Sequence, residues 1–600
     1  MPMKLSDYVM QFLVDHGVKH VFMLPGGGAM HLDDSLGRRT DIEWICNLHE
    51  QASAMAAETY AKATGRLGVA IVTTGPGGTN TVTGVAGAWL DSIPCLFISG
   101  QVKRSDLKGN SGVRQMGMQE VDIVSIVSSI TKYAVLVTDP AMIRYHLERA
   151  VYLATTGRPG PVWIDIPRDV QATSIDPESL AGFIPPASDV RDQEKLEEKV
   201  AQAVEMLMRA ERPVLLAGNG IRLAGAQNAF LQLVDELKMP FLATWLAVDM
   251  VPYNHDLYIG KPGSVAPRGV NFAMQNADFV LSIGSRIDFT ITGYSPDKFA
   301  RAAKKIMVDI DPAELRKLDN YIDLPICGDA KLFIEALYRQ ISRTQRKGWP
   351  AWLARCRDWK TKYPVVLPEH RNPNQAVSTY YLAEILSEEL PEGALIVSGS
   401  SGAGIEIFQH ALQMKKGQRL FHTTALGAMG YGLPAAIGAC IGSNRQPTIC
   451  VDGDGGIQLN IQELETVRRL QLPIKFFILN NDGFSSIRTS QQRWFSRLTA
   501  ADSSSGLTLP EICAIAEAYQ IKAVRIDSQR ELRRQIRDVL QMPGPVVCDV
   551  VSLRDEARIP SLASAQRADG TLVSKPLEDL WPFLDRDEFR ANMIIPPLEE

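Results

Sequence analysis

Short runs of β-branched and aliphatic residues alternate with longer stretches whose apolar positions recur at helical spacing, and this alternation restarts twice along the chain. In residues 1–175 the runs VKHVFML, GVAIVTT, PCLFISG and GPVWIDIP predict strands separated by helices. Near-continuous apolar runs suit parallel strands covered by helices on both faces. A polar stretch from Thr173 to Lys195, with prolines at 185 and 186, breaks the pattern. It resumes over 190–345 with RPVLLAGNG, PFLATW, ADFVLSIGS and KKIMVDIDP, and the charged segment SRTQRKGWPAWLARCRDWKTKYP reads as a second linker. ALIVSGS, TICVDGDG, IKFFILNN and GPVVCDVV supply a third set within 370–555, and 556–600 reads as an irregular tail packed over another part of the chain. The pattern predicts an α/β protein of three successive doubly wound parallel-sheet domains. The first and third are candidates for an internal duplication, and no short period signals a solenoid.

Composition narrows the function classes. The 600 residues are 45% hydrophobic and 22% charged, ordinary values for a globular chain. A net charge of −5 offers no basic face for nucleic acid, so acidic or neutral small molecules are the expected partners. No stretch reaches the roughly 18 apolar residues of a membrane span, and the N-terminus lacks a signal-type apolar core. Eight cysteines without CxxC spacing read as small buried hydrophobes in a reducing compartment. The expectation is a cytoplasmic enzyme.

Two segments carry chemistry. VDGDGGIQLN and the later NND place Asp454 and Asn481 at the ends of two strands, where a carboxylate and an amide oxygen can share one hard cation. A helix opening near Asn460 would offer free N–H groups to a phosphate. GDG alone reads equally as a glycine-rich turn; the Asn pair at a second strand end makes Mg²⁺ with a diphosphate the better reading. In HEQASAMAAETYAKATGRLGVAIVTTGPGGTN, Glu50 stands just before a long helix, where the helix dipole and burial push its carboxyl in opposite directions. GPGGTN, residues 75–80, is a strand-to-helix turn shaped like a phosphate cradle, although close backbone approach would also account for its glycines.

PGGGAM (25–30), HEQASAMAAETYAKATG (49–65), TTGPGGTN (73–80), GRPGPVWIDIPRDVQ (157–171), LGAMGYGLPAA (426–436) and GDG…NN occur in the order found in acetolactate synthases. Over roughly residues 5–550 the chain resembles that branch of the thiamine-diphosphate enzymes, with pyrimidine-binding, central and diphosphate-binding domains. The resemblance implies that Glu50 hydrogen-bonds N1′ of the cofactor's aminopyrimidine, and that Met429 wedges the cofactor into a bent form. It implies that Gln119, in MQE, lies near the reacting centre. Asp454, Asn481 and the Gly483 carbonyl would hold Mg²⁺, and Pro25, Gly26, Gly27, Gly75, Asn80, Gly427, Gly453, Gly455, Gly456 and Phe484 would line the cofactor site. Glu50 of one subunit would reach cofactor held by another, implying a homodimer or homotetramer. In the central domain the resemblance implies FAD, with Gly218, Gly220, Thr244, Gly284, Arg286, Asp309 and Asp329 as contacts. There GKPGS (260–264) departs from the family's GMHG, and DFT (288–290) from its DDR.

Other departures fall on the acceptor side. Met118 stands where the family has Phe, Ser490 about where it has Trp, and SGSSGAGIEIF (398–408) replaces its VGQHQM. NNDGFSSIRTSQ and SKPLEDLWPFLDRDEF look more like carboligases of sugar-nucleotide pathways. That reading predicts pyruvate, or another 2-keto acid, as donor of a two-carbon unit to a carbonyl acceptor such as a ketosugar. An acetolactate synthase catalytic subunit, a lyase or C–C hydrolase of the same family, and a non-catalytic cofactor-binding protein are the alternatives. Arg488 is a candidate for an acceptor phosphate or carboxylate, and His410 and His422 for proton transfer; a structural role is as good a reading of each.

Overall fold

The computed structural model describes residues 2–186, 191–343, 348–566 and 572–598. Its framework is three six-stranded sheets, all parallel. Across the first sheet lie Glu43–Cys46, His20–Met23, Gly68–Val72, Cys95–Gln101, Val162–Pro167 and Tyr133–Leu136. Across the third lie Arg419–Phe421, Leu395–Ser398, Thr448–Gly453, Ile474–Asn480, Val546–Val551 and Lys522–Ile526. Numbered within each domain, both sheets run in the order 2-1-3-4-6-5, the likeness the sequence left open. The central sheet differs. Tyr258–Gly260, Phe241–Ala243, Pro213–Ala217, Phe279–Ile283, Lys304–Asp309 and Leu324–Cys327 give the order 3-2-1-4-5-6, that of dinucleotide-binding folds.

The first and third domains meet through helices Glu50–Thr64 and Gly432–Gly442, both rich in alanine and glycine. Small residues let the backbones close: a Cβ on Gly438 would lie 2.2 Å from the Ala56 carbonyl oxygen. Beside this contact, Lys62 is buried against Glu58 and Asp91 (2.5 and 2.8 Å), and the Tyr431 hydroxyl donates to Glu58 (2.8 Å). Burial opposes charge on these groups, and the cluster holds because each charge faces its opposite.

Two expectations about the connecting segments need correction, and a third is left untested. The first expected boundary, Thr173 to Lys195, falls partly outside the described residues. The charged segment after 341 is no free linker: Pro350–Lys362 is a helix that buries Trp352, Cys356 and Trp359, because its apolar residues recur on one face despite the surrounding charge. The tail is also more ordered than expected. It forms an antiparallel strand pair, Ser564–Gln566 with Leu572–Ser574, and a helix, Arg586–Asn592. It packs on the central domain, where Asn271 Nδ2 donates to the Leu577 carbonyl (2.9 Å), Gln275 Nε2 to Glu578 (2.8 Å) and Trp359 Nε1 to Asn592 Oδ1 (2.8 Å).

Candidate active site

In each sheet the strand order reverses between two parallel neighbours, and the carboxyl ends beside that switch form a crevice. The motifs singled out in the sequence fall at these three places.

In the third domain the switch lies between Leu395–Ser398 and Thr448–Gly453. Asp454 opens the helix Asp454–Ile457 directly, so the free helical N–H groups start there and not near Asn460. Asn460 is instead buried, its amide donating to Gln51 Oε1 (3.0 Å) and the Gly430 carbonyl (2.8 Å). The carboxylate of Asp454 accepts from Gly455 N (2.8 Å), Asn481 N (3.2 Å) and Gly483 N (2.9 Å). Burial outweighs those three bonds and pushes its pKa up to about 6. Asn481 Oδ1 is buried with no donor facing it among the described residues. An orphaned amide oxygen beside a poorly solvated carboxylate is the oxygen-donor set that a hard divalent cation satisfies. The glycines are sterically required: a Cβ on Gly455 would lie 2.4 Å from the Phe484 ring and one on Gly456 2.6 Å from Asp452, while Gly483 holds φ +109°.

In the first domain the crevice joins the PGGG and TTGPGG turns. Gly26 N donates to Asp33, Gly28 N to Thr73 Oγ1, and a Cβ on Gly26 would meet Thr73 at 2.4 Å. Pro25 and Gly27 are exposed on this rim. Glu50 is the first residue of its helix, which starts one residue earlier than expected, with His49 as N-cap. Its carboxyl is buried and accepts from Asn80 Nδ2 (3.0 Å), so the structure unites two residues that the sequence offered separately. Gly75 holds φ +62°, and a Cβ there would lie 2.5 Å from the Gln119 carbonyl oxygen. Gln119, at φ +65°, is thereby placed against the start of the Asn80 helix.

Within the chain, the first and third domains touch beside these residues. Glu463, nine residues beyond Asp454, accepts from Asn47 Nδ2 (2.9 Å) and Leu48 N (2.7 Å), just before Glu50. Met429 is 38% exposed on a loop held by Gly427 (φ +67°) and by the Asn460–Gly430 bond. The seam roles of Asn47, Gln51 and Glu463 were not singled out in the sequence, because side chains paired across a domain seam carry no spacing signal.

Residues 3–126 match the N-terminal TPP binding domain of thiamine pyrophosphate enzymes, 200–337 their central domain and 402–550 their C-terminal TPP binding domain. The chain is 33% identical over 570 residues to an acetolactate synthase of Arthrospira platensis, covering 91% of this chain and 94% of that one. It is 33% identical over 577 residues to an acetolactate synthase large subunit of Parasynechococcus marenigrum (strain WH8102), covering 95% and 90%, and 32% over 576 residues to acetolactate synthase 2, chloroplastic, of Nicotiana tabacum, covering 94% and 84%. This chain is an acetolactate synthase-like thiamine-diphosphate enzyme.

The central domain of this family member holds a cavity of about 560 Å³ at its own switch point. Gly220, Thr244, Gly284, Arg286, Asp309 and Asp329 line it. Gly218 lies beneath, where a Cβ would fall 2.0 Å from the Gly284 carbonyl oxygen. Asp309 stands at a strand end and burial raises its pKa. Two of the expected contacts are already committed: Arg286 pairs with Glu314 (3.1 Å) and donates to the Leu90 carbonyl, and Asp329 caps the helix Ala330–Ile341. Arg158, Trp245 and Phe289 line the cavity as well. Trp245 closes the PFLATW run, and its position just past the strand Phe241–Ala243 was the available signal.

Arg488 and His422 are structural ties, and both ring nitrogens of His410 are buried with no hydrogen-bond partner among the described residues. Arg488 is 4% exposed and binds the Asn481 and Asp482 carbonyls (3.1 and 3.0 Å) and Asp555 (2.8 Å), holding the turn after the Asn pair. His422 is fully buried, its Nε2 3.1 Å from the Trp245 carbonyl, and burial lowers its pKa to about 4. His410 is buried and neutral for the same reason, beside Lys261. Ser490 is exposed on the helix Ser485–Phe495. No helix among the described residues is long and apolar enough to cross a membrane.

Proposed function

We propose that this enzyme decarboxylates pyruvate and joins the two-carbon unit to a second 2-keto acid, the acetolactate synthase reaction. The observation that carries this reading is the presence of two half-sites in one chain: a buried Glu50 oriented by Asn80, and the Asp454–Asn481 oxygen set. Thiamine diphosphate, when bound, supplies the acidic carbon and the electron sink. Asp454, Asn481 and the Gly483 carbonyl would hold Mg²⁺ on its diphosphate, with Gly453, Gly455, Gly456 and Phe484 forming the floor. Glu50 would exchange a hydrogen bond with the aminopyrimidine, Met429 would hold the cofactor bent, and Gln119 would border the reacting centre. Relatives named acetolactate synthase, aligned over nearly the whole chain, support the reading.

We also propose FAD in the central cavity, supported by the 3-2-1-4-5-6 sheet, the Gly218–Gly220–Gly284 close approach and the acidic strand end at Asp309. Extents of 1–175, 190–345 and 370–555 for the domains, and a homodimer or homotetramer as the working unit, belong to the same proposal. A second reading, a carbonyl acceptor other than a 2-keto acid, such as a ketosugar, draws on the exposed Ser490 and on Met118, 87% exposed, which leave the acceptor side open. Mass spectrometry of products decides. Pyruvate alone giving acetolactate supports the first reading; product only when a ketosugar or aldehyde is added supports the second; no pyruvate consumption overturns both.

A further inference from the structure

Residues 102–122 leave the end of strand Cys95–Gln101, pass through Gln119 and lead into the helix Ile123–Val127. Most of this excursion is exposed, yet Gln119 keeps a left-handed backbone (φ +65°). A strained turn of this kind persists only where its surroundings fix it.

The fixing group is one carboxamide. Gln101 Nε2 donates to Asp165 Oδ2 (2.9 Å) and to the Val121 carbonyl (2.9 Å), and its Oε1 accepts from Thr74 Oγ1 (2.7 Å) and Val102 N (3.0 Å). Thr74 Oγ1 also lies 3.3 Å from the Gln119 carbonyl. The amide cannot be turned over, since that would set its oxygen against two acceptors and its NH₂ against the Val102 N–H. Asp165 is itself fixed: its other oxygen accepts from Ser99 Oγ (2.6 Å), which accepts from Trp163 Nε1 (2.8 Å). Ser99, Gln101 and Asp165 are buried at 0, 2 and 1% exposure, where such bonds are worth most. Farther out, the Glu120 carboxylate accepts from Met116 N (2.8 Å) and Gly117 N (3.3 Å), closing the loop on itself. Three separate segments, the Thr74–Gly75 turn, the strand end and Gln119–Val121, therefore converge on Gln101.

We propose that Gln101 is a positioning residue for the acceptor side of the site: oriented by Asp165, it seats the Gln119 turn against Gly75 and so sets where an acceptor lies. The inference rests on the proposed place of Gln119 beside the reacting centre. Gln101 touches Thr74 and Val121 and acts through them.

The test uses the full chain loaded with thiamine diphosphate and Mg²⁺, pyruvate as donor and 2-oxobutanoate as the acceptor probe. Gln101→Leu is expected to raise the acceptor KM by about tenfold or more, the loss of one to two buried hydrogen bonds, while deuterium exchange at the cofactor's acidic carbon stays within about threefold. Asp165→Asn keeps an oxygen toward Gln101 and should behave as wild type, whereas Asp165→Leu should behave as Gln101→Leu. An acceptor KM unchanged in Gln101→Leu, a parallel loss of exchange and acceptor affinity, or Asp165→Asn as impaired as Asp165→Leu would each overturn the proposal. Hydrogen-exchange mass spectrometry reads the turn without turnover: Gln101→Leu should lose protection over 102–122, and unchanged protection refutes the inference. A wild-type chain that binds cofactor but consumes no pyruvate defeats the proposed function alone, and the exchange result still decides the role of Gln101.

Discussion

Asp454 shows how one side chain can be both poorly solvated and densely hydrogen-bonded. Its carboxylate spends its lone pairs on three backbone N–H groups, yet burial still holds its pKa near 6. Protons and Mg²⁺ then compete for it, so thiamine-diphosphate affinity in Mg²⁺ should fall as pH drops through about 6, measurable by titration of tryptophan fluorescence. Asp454→Ala should abolish Mg²⁺-dependent cofactor binding; retention of tight binding would refute the metal assignment. Glu50→Gln should lower pyruvate turnover by about 10²–10⁴-fold with the fold intact, the range expected for a group that moves protons. Asp165 gives a stability test with the opposite partner set. Its pKa is raised to about 7, chiefly by burial, with Asp122 adding to the rise and the Ser99 and Gln101 bonds opposing it. A carboxyl whose pKa is raised on folding contributes stability that is fully present below its unfolded value, about 4, and lost as pH rises through about 7. Asp165→Asn should therefore gain in Tm relative to wild type between pH 4 and 7, then hold that gain above it; a pH-independent difference would refute the assignment.

At the scale of elements, what the sequence disclosed and what it hid divide along the sheets. In all three domains the four inner strands were legible as apolar runs and both edge strands were missed. The inner ones are buried along nearly their full length, as in Gly68–Val72, Phe279–Ile283 and Thr448–Gly453. Edge strands are short or half-solvated: Glu43–Cys46 and Lys522–Ile526 each expose two residues, and Tyr258–Gly260 has only three. With one neighbour instead of two they need no continuous apolar run. The site divides similarly. Asp454, Asn481 and Glu50 were legible because charge or amide chemistry sits at a strand or helix end. The Gln101–Asp165 bond was not, because it joins residues 64 apart across two strands. Helix packing supplies another prediction. Gly438→Val would drive a side chain into the Ala56 backbone, where only the helices themselves could yield, and should cost about 1–3 kcal/mol or more by overpacking, read as a lowered Tm.

For the whole molecule, the tail 556–598 is part of the central domain's core. Leu577 and Phe589 are buried with Val214, Phe272 and Trp359, and Asn592 satisfies the Trp359 indole. During synthesis the middle domain must consequently wait. Its six strands emerge by Cys327, but the side chains that finish its hydrophobic interior arrive some 250 residues later, after the whole third domain has left the ribosome. The order of completion is thus first, third, second, and an unfinished middle would be the species most exposed to chaperones and proteases.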